Sequence, residues 1–270
     1  MPSNVESGYA DVNGTRLYYE TAGAGDPLVL VHGFGLDRRM WDNQFADFAR
    51  YRRVVRYDLR GFGRSAPPEV GQGYRHVDDL KALLDRLDID QAALVGLSLG
   101  GLIALNGALE YPDRVSALVL VDAIISGWPM SPDWDEEFGQ VRRAANARGV
   151  EAGRQGWLNI SMFAPTREHP EAGTLLRQMI ADWSAWQFAN RDPENTSIQA
   201  VERLGEVRSP TLVVVGERDQ PDFHAVADAL TRGIPLARKV VVPGAGHMVP
   251  MEAPAEFNAL VIGFLRESVA

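Results

Sequence analysis

The chain has 270 residues, no cysteine, and 36 acidic against 27 basic side chains, a formal net charge of −9. This length suits one large α/β domain, or such a core with an inserted subdomain, and can bury a substantial core. The charge argues against a nucleic-acid surface, and the missing thiols exclude disulfides, thiolate metal sites and a cysteine nucleophile.

The start, Met1-Pro2-Ser3-Asn4-Val5-Glu6-Ser7-Gly8, lacks the basic and apolar regions of a signal peptide, and no apolar run reaches membrane-spanning length. A cytoplasmic protein with no membrane partner is expected. Tyr9 to Val12 and Arg16 to Thr21 are β-rich runs joined by Asn13-Gly14, a signal for a tight hairpin. Pro27 to Val31 is a continuous apolar run of the kind found in a strand buried on both faces. It ends in His32-Gly33-Phe34-Gly35. A helix through Trp41, Phe45 and Phe48 follows, then an apolar strand, Val54 to Tyr57, which leads into Asp58-Leu59-Arg60-Gly61-Phe62-Gly63-Arg64-Ser65. From Tyr74 to Leu87, apolar residues at 77, 80, 83, 84 and 87 predict an amphipathic helix.

The stretch Val95-Gly96-Leu97-Ser98-Leu99-Gly100-Gly101 reads Gly-x-Ser-x-Gly, between an apolar run from Ala92 and a helix-compatible run from Leu102 to Leu109. This context predicts a strand, a sharp turn and a helix. The glycines at 96 and 100 remove side chains where strand and helix approach, and the serine hydroxyl is presented at the carboxyl end of the strand. The helix that follows directs its free N–H groups toward any oxyanion formed there. Another buried strand, Ala117 to Val121, closes at Asp122. Strand and helix alternate from residue 28 to 123, which implies a parallel sheet with ligands beyond its carboxyl ends.

From about Ile124 to Val207 the alternation stops. Helices are predicted over Trp134 to Ala147, Glu151 to Phe163, Glu171 to Phe188 and Asn195 to Leu204, and five of the six tryptophans lie here. The segmentation expected is a first core part at 1–123, a helical cap at 124–207 acting as a lid, and a second core part at 208–270. Trp128, Trp157, Trp183 and Trp186 are candidates for the roof of an apolar pocket. The sheet resumes with Thr211 to Val215, followed by Gly216-Glu217-Arg218-Asp219. After a helix through Phe223 to Leu230, the last strand, Lys239 to Val242, runs into Pro243-Gly244-Ala245-Gly246-His247. A final helix spans Pro254 to Leu265.

Ser98, Asp219 and His247 thus each follow a strand end. Their order, with the serine in a Gly-x-Ser-x-Gly turn, the His32-Gly33 pair and the Asp58-to-Ser65 loop, resembles the α/β-hydrolase superfamily over almost the whole chain. The resemblance implies a mostly parallel eight-stranded sheet with helices on both faces and a helical cap after the sixth strand. It also implies nucleophile, acid and base roles for Ser98, Asp219 and His247, with an oxyanion site at the backbone N–H groups of Phe34 and Leu99. His32 would brace that loop, and Gly33 and Gly35 would let substrate approach its backbone. Asp122, which also closes a strand, is the alternative acid. His76, His169 and His224 fit the base role less well by position. No metal and no cofactor are implied.

Serine at 98 separates the chain from the branches with an aspartate nucleophile. The Gly-Leu-Ser-Leu-Gly-Gly turn is most similar to 3-oxoadipate enol-lactonases and small carboxylesterases. The expected activity is hydrolysis of a small, largely apolar ester, thioester or lactone through an acyl-enzyme. C–C bond hydrolases of ring-cleavage products and cofactor-free perhydrolases share the pattern, although such relatives often carry methionine where this chain has Leu99. A small-ligand receptor on the same fold is the non-enzyme alternative. A small-molecule substrate is the expected partner, and the pattern does not separate monomer from homo-oligomer.

Overall fold

The computed structural model describes residues 4–190, 194 and 198–268. The chain opens with β1 (Glu6–Val12) and β2 (Thr15–Ala22), whose turn holds Asn13 at φ 47° and Gly14 at φ 69°. Two positive φ values match the twist of the paired strands, which is why Asn-Gly marks hairpins. β3 (Pro27–Val31) is followed by a short 3-10 turn at Arg38–Trp41, α1 (Asp42–Phe48), β4 (Arg53–Tyr57) and α2 (His76–Arg86). Then come β5 (Ala92–Leu97), α3 (Leu99–Glu110) and β6 (Val115–Val121).

A helical stretch intervenes: α4 (Pro132–Arg148), α5 (Val150–Asn159), α6 (Ala164–Glu168), α7 (Pro170–Asp182) and α8 (Trp186–Ala189). The sheet is completed by β7 (Thr211–Gly216), α9 (Pro221–Gly233) and β8 (Ala237–Val242), and the chain closes with α10 (Val249–Glu252) and α11 (Pro254–Glu267).

The eight strands form one sheet in the order β1-β2-β4-β3-β5-β6-β7-β8. β2 runs antiparallel to both neighbours and every later pairing is parallel. The central strands β5 and β7 are buried at every position, the pattern expected of parallel strands covered on both faces. On one side α2 packs on α3, and elsewhere α1 packs on α11. The crossover order places the carboxyl ends of β3, β5, β6, β7 and β8 along one edge of the fold, where Ser98, Asp122, Asp219 and His247 follow their strands.

The insertion departs from the sequence expectation in its breaks. The helix expected over Glu151 to Phe163 stops at Asn159, because Ile160 turns extended (ψ 145°) before a 3-10 turn. The helix expected over Glu171 to Phe188 stops at Asp182, and Ala185 takes a left-handed φ of 52° before α8. In place of a helix over Asn195 to Leu204 there are two short 3-10 turns, at Ala200–Glu202 and Leu204–Glu206; Asn195 to Ser197 lie outside the described residues.

Candidate active site

Ser98 sits at φ 54°, ψ −111°, between β5 and α3. A non-glycine residue held there stores roughly 1–3 kcal/mol of strain and persists only where neighbours fix it. They do: the Ser98 N–H donates to Val121 at 2.9 Å, and its carbonyl accepts from Leu102 at 3.0 Å. A Cβ on Gly96 would collide with the Gly100 backbone, and one on Gly100 would collide with the Val31 carbonyl. The two glycines therefore let the helix start close against the strands, so that the serine is carried on a rigid turn.

His247 and Asp219 are brought together from the ends of β8 and β7. The His247 Nδ1 lies 2.9 Å from Asp219 Oδ2, and both side chains are almost fully buried. A carboxylate can only accept, so the Nδ1 carries the proton and the Nε2 lone pair is free. That Nε2 is buried and has no hydrogen-bond partner among the described residues. Phe223 packs on the imidazole at 4.3 Å between ring centroids, and Phe163 from the insertion contacts it at 6.2 Å. The other Asp219 oxygen accepts the Gln220 N–H at 2.7 Å.

Asp122, the alternative acid, does not hold the histidine. Its Oδ1 accepts the Gly216 N–H at 2.9 Å and its Oδ2 has no hydrogen-bond partner among the described residues. Yet it is no bystander: an oxygen of Asp122, an oxygen of Asp219 and a ring nitrogen of His247 all lie within 4.8 Å of one another. Burial, with the Asp219 carboxylate beside it, pushes the Asp122 carboxyl well above the usual carboxylate range.

Glu252 was not singled out by sequence, and no local pattern marks it. Its carboxylate accepts the N–H of Gly246 at 2.6 Å and of Met248 at 3.2 Å, on either side of His247. It also accepts the Thr166 hydroxyl of α6 at 2.6 Å. One side chain thus joins the histidine loop to the insertion. A second link is Asp222 in α9, which accepts the N–H and hydroxyl of Ser131 at 2.6 and 2.7 Å, where Ser131 caps the start of α4.

The glycine loop after β3 is braced from below. His32 is fully buried; its Nδ1–H donates to the Gly33 carbonyl at 2.8 Å and its Nε2 accepts the Leu59 N–H at 2.9 Å. Burial lowers its pKa and keeps it neutral. Asp58 holds the Arg38 and Arg64 N–H groups at 2.9 and 2.8 Å, so the Asp58-to-Ser65 loop is shaped by side-chain-to-backbone bonds. Neither the Phe34 nor the Leu99 N–H has an acceptor among the described residues. At Gly35, φ 72°, a Cβ would strike the Trp157 indole, so the missing side chain makes room for that ring of the insertion. The Gly33 Cβ direction is likewise filled, by Leu97 and Leu36.

The half-buried Phe34 ring is surrounded by aromatics. Trp183 and Trp157 contact it at 5.1 and 5.2 Å, Phe62 at 5.6 Å, and Phe188 and Phe138 at 6.0 and 6.2 Å. Two of the four tryptophans expected in a pocket, Trp157 and Trp183, thus belong to this group. Trp128 and Trp186 are half-buried and stand outside it. Helical spacing could have found Phe138 and Phe188, but not that they meet the loop after β3.

The parallel sheet, the strained serine turn and the buried His–Asp pair define an α/β hydrolase. Residues 28–260 match the sequence profile of the alpha/beta hydrolase family, to which the chain belongs. It is 33% identical to the dihydrolipoyllysine-residue acetyltransferase component of an acetoin cleaving system from Pseudomonas putida, over 96% of this chain and 69% of that one. It is 30% identical to a putative carbamate hydrolase, RutD, from Azorhizobium caulinodans, over 96% of this chain and 98% of the other. Among solved structures, a thermophilic esterase from Thermogutta terrifontis with malate bound matches at a TM-score of 0.77 and 32% identity, covering 97% of this chain and 99% of that one.

Proposed function

We propose that the protein is a serine hydrolase that cleaves a small, largely apolar ester, thioester or lactone through an acyl-enzyme on Ser98. The observation that carries this reading is the state of His247: Nδ1 engaged by Asp219, Nε2 buried and without a hydrogen-bond partner among the described residues. A free serine hydroxyl is a weak nucleophile. His247 Nε2 takes the Ser98 proton as its oxygen attacks the substrate carbonyl, then returns that proton to the leaving group. Water repeats the cycle on the acyl-enzyme, giving the acid and restoring Ser98. Asp219 holds the ring tautomer and stabilises the imidazolium. The N–H groups of Leu99 and Phe34 receive the oxyanion, each such donor being worth about 3 kcal/mol in the transition state.

The aromatic group around Phe34 supports an apolar acyl portion, and the helical insertion serves as the lid over it. The esterase among the relatives is consistent with this chemistry. The test is hydrolysis of p-nitrophenyl esters from acetate to decanoate by the wild type and Ser98→Ala. Release should peak at one chain length and fall by about six orders of magnitude in the variant. Release that is unchanged in a folded Ser98→Ala protein, or absent from the wild type for every ester, overturns the reading.

A further inference from the structure

Asp122 is a carboxyl group for which the mechanism above has no use, placed where the mechanism is most sensitive to charge. It closes β6 at φ 41°, a left-handed value that costs strain in a non-glycine residue. Its N–H is fixed to the Val214 carbonyl at 2.9 Å, and its Oδ1 to the Gly216 N–H at 2.9 Å, so the side chain cannot turn away. Its remaining oxygen has no donor among the described residues, and the nearest titratable partners are Asp219 and His247. The groups facing it are the Gly216 N–H and Asp219 after β7, His247 after β8 and, further off, Glu252 of α10. Two carboxylates this close in a buried site do not both ionise. Of the two, Asp219 already accepts on both oxygens, from His247 Nδ1–H and the Gln220 N–H, whereas Asp122 has one oxygen to spare.

We propose that Asp122 is a proton-holding positioning residue: as the neutral acid it donates its carboxyl O–H to the Asp219 carboxylate, so that one negative charge, not two, stands behind His247. The role deepens the triad reading and rests on it. With a single shared charge, Asp219 orients the imidazole without holding the imidazolium so tightly that it fails to release its proton to the leaving group. The direction of the Asp122 pKa, raised by burial and by its acidic neighbours, agrees.

The first test needs no substrate, so it stands apart from whether Ser98 is the nucleophile. Infrared difference spectra of the wild type against Asp122→Asn at neutral pH should show a protonated-carboxyl carbonyl band that only the wild type has. A difference spectrum that shows a lost carboxylate band instead overturns the proposal. The second test uses ester hydrolysis. An amide at 122 accepts from Gly216 and donates to Asp219 as the neutral acid does, so Asp122→Asn should keep kcat/KM within about threefold, with its acid limb in place. If Asp122 is ionised, the same substitution removes a charge beside the base, and the limb falls by about one pH unit or more. Asp122→Gly suits the positive φ but supplies no donor. It should lower kcat about tenfold, with little change in KM and the acid limb moved up. An unaltered kcat and limb in Asp122→Gly would deny Asp122 any positioning role.

Discussion

Glu252 grips His247 from both sides, accepting the backbone N–H before it and the one after it on a single carboxylate. A histidine in a glycine-rich loop would otherwise be free to pivot, so the aim of the imidazole depends on a residue with no hydrogen bond to Ser98 or Asp219 among the described residues. Replacing Glu252 with Gln leaves one acceptor oxygen for three donors. Orphaning a charge-assisted bond of this kind costs about 1–3 kcal/mol. Glu252→Gln should therefore lower kcat about tenfold while KM moves little, read by steady-state ester kinetics beside thermal melts.

Phe34 combines a backbone N–H without an acceptor among the described residues, proposed above for the oxyanion, with a ring packed against aromatics of the insertion. Phe34→Ala keeps the N–H and removes the ring from among Trp157, Trp183 and Phe138. The chain-length optimum of the ester series should move to longer acyl groups. Stability should fall by about 1–3 kcal/mol, below the figure for a fully buried phenylalanine, because the residue is only partly buried. An unchanged optimum would place the acyl group elsewhere.

His76, at the start of α2, is buried among Tyr74 and Phe62, and burial lowers its pKa from 6.5 to about 3. Between those values the unfolded chain binds a proton that the folded protein refuses. Its contribution is therefore intact above pH ~6.5 and drains away as the pH falls toward 3. From pH 7.5 to 4.5 the loss amounts to about 2–3 kcal/mol. Urea unfolding at both pH values should show this loss in the wild type and not in His76→Leu. Equal losses in both would assign the acid lability to other groups.

Gly100→Ala should not yield folded protein. The added methyl meets the Val31 carbonyl, and neither β3 nor α3 can retreat without opening the sheet centre. Soluble expression and far-UV circular dichroism check this, with a folded, active Gly100→Ala protein as the contrary result.

The fold was legible because the central strands are covered on both faces and so read as unbroken apolar runs, Leu94 and Val119 among them. Ser98 and His247 were legible for a related reason: glycines crowd the turns that present them. The insertion was harder. α7 starts after His169, whose extended ψ of 123° follows from Pro170, and the expected helices part there, between Phe163 and Glu171; the five-residue α6 inside that gap was not expected. No such signal marks Ala185, which takes its left-handed turn at a fully buried position. Glu252 and the Asp122–Asp219 approach were invisible for a third reason, since each depends on segments that meet only after the sheet has closed.

The pairing of β6 with β7, Leu118 to Val121 against Thr211 to Val214, bridges the entire insertion. A chain emerging from the ribosome can complete β5, the serine turn and β6 long before the residues of β7 exist. At that stage Ser98 stands without the His247–Asp219 pair, and Asp122 has no carboxylate to lean on. The complete site is in this way the last thing the polypeptide acquires: the serine turn and the His247–Asp219 pair come to share one edge only when the final two strands take their places, after the helices of the insertion are made.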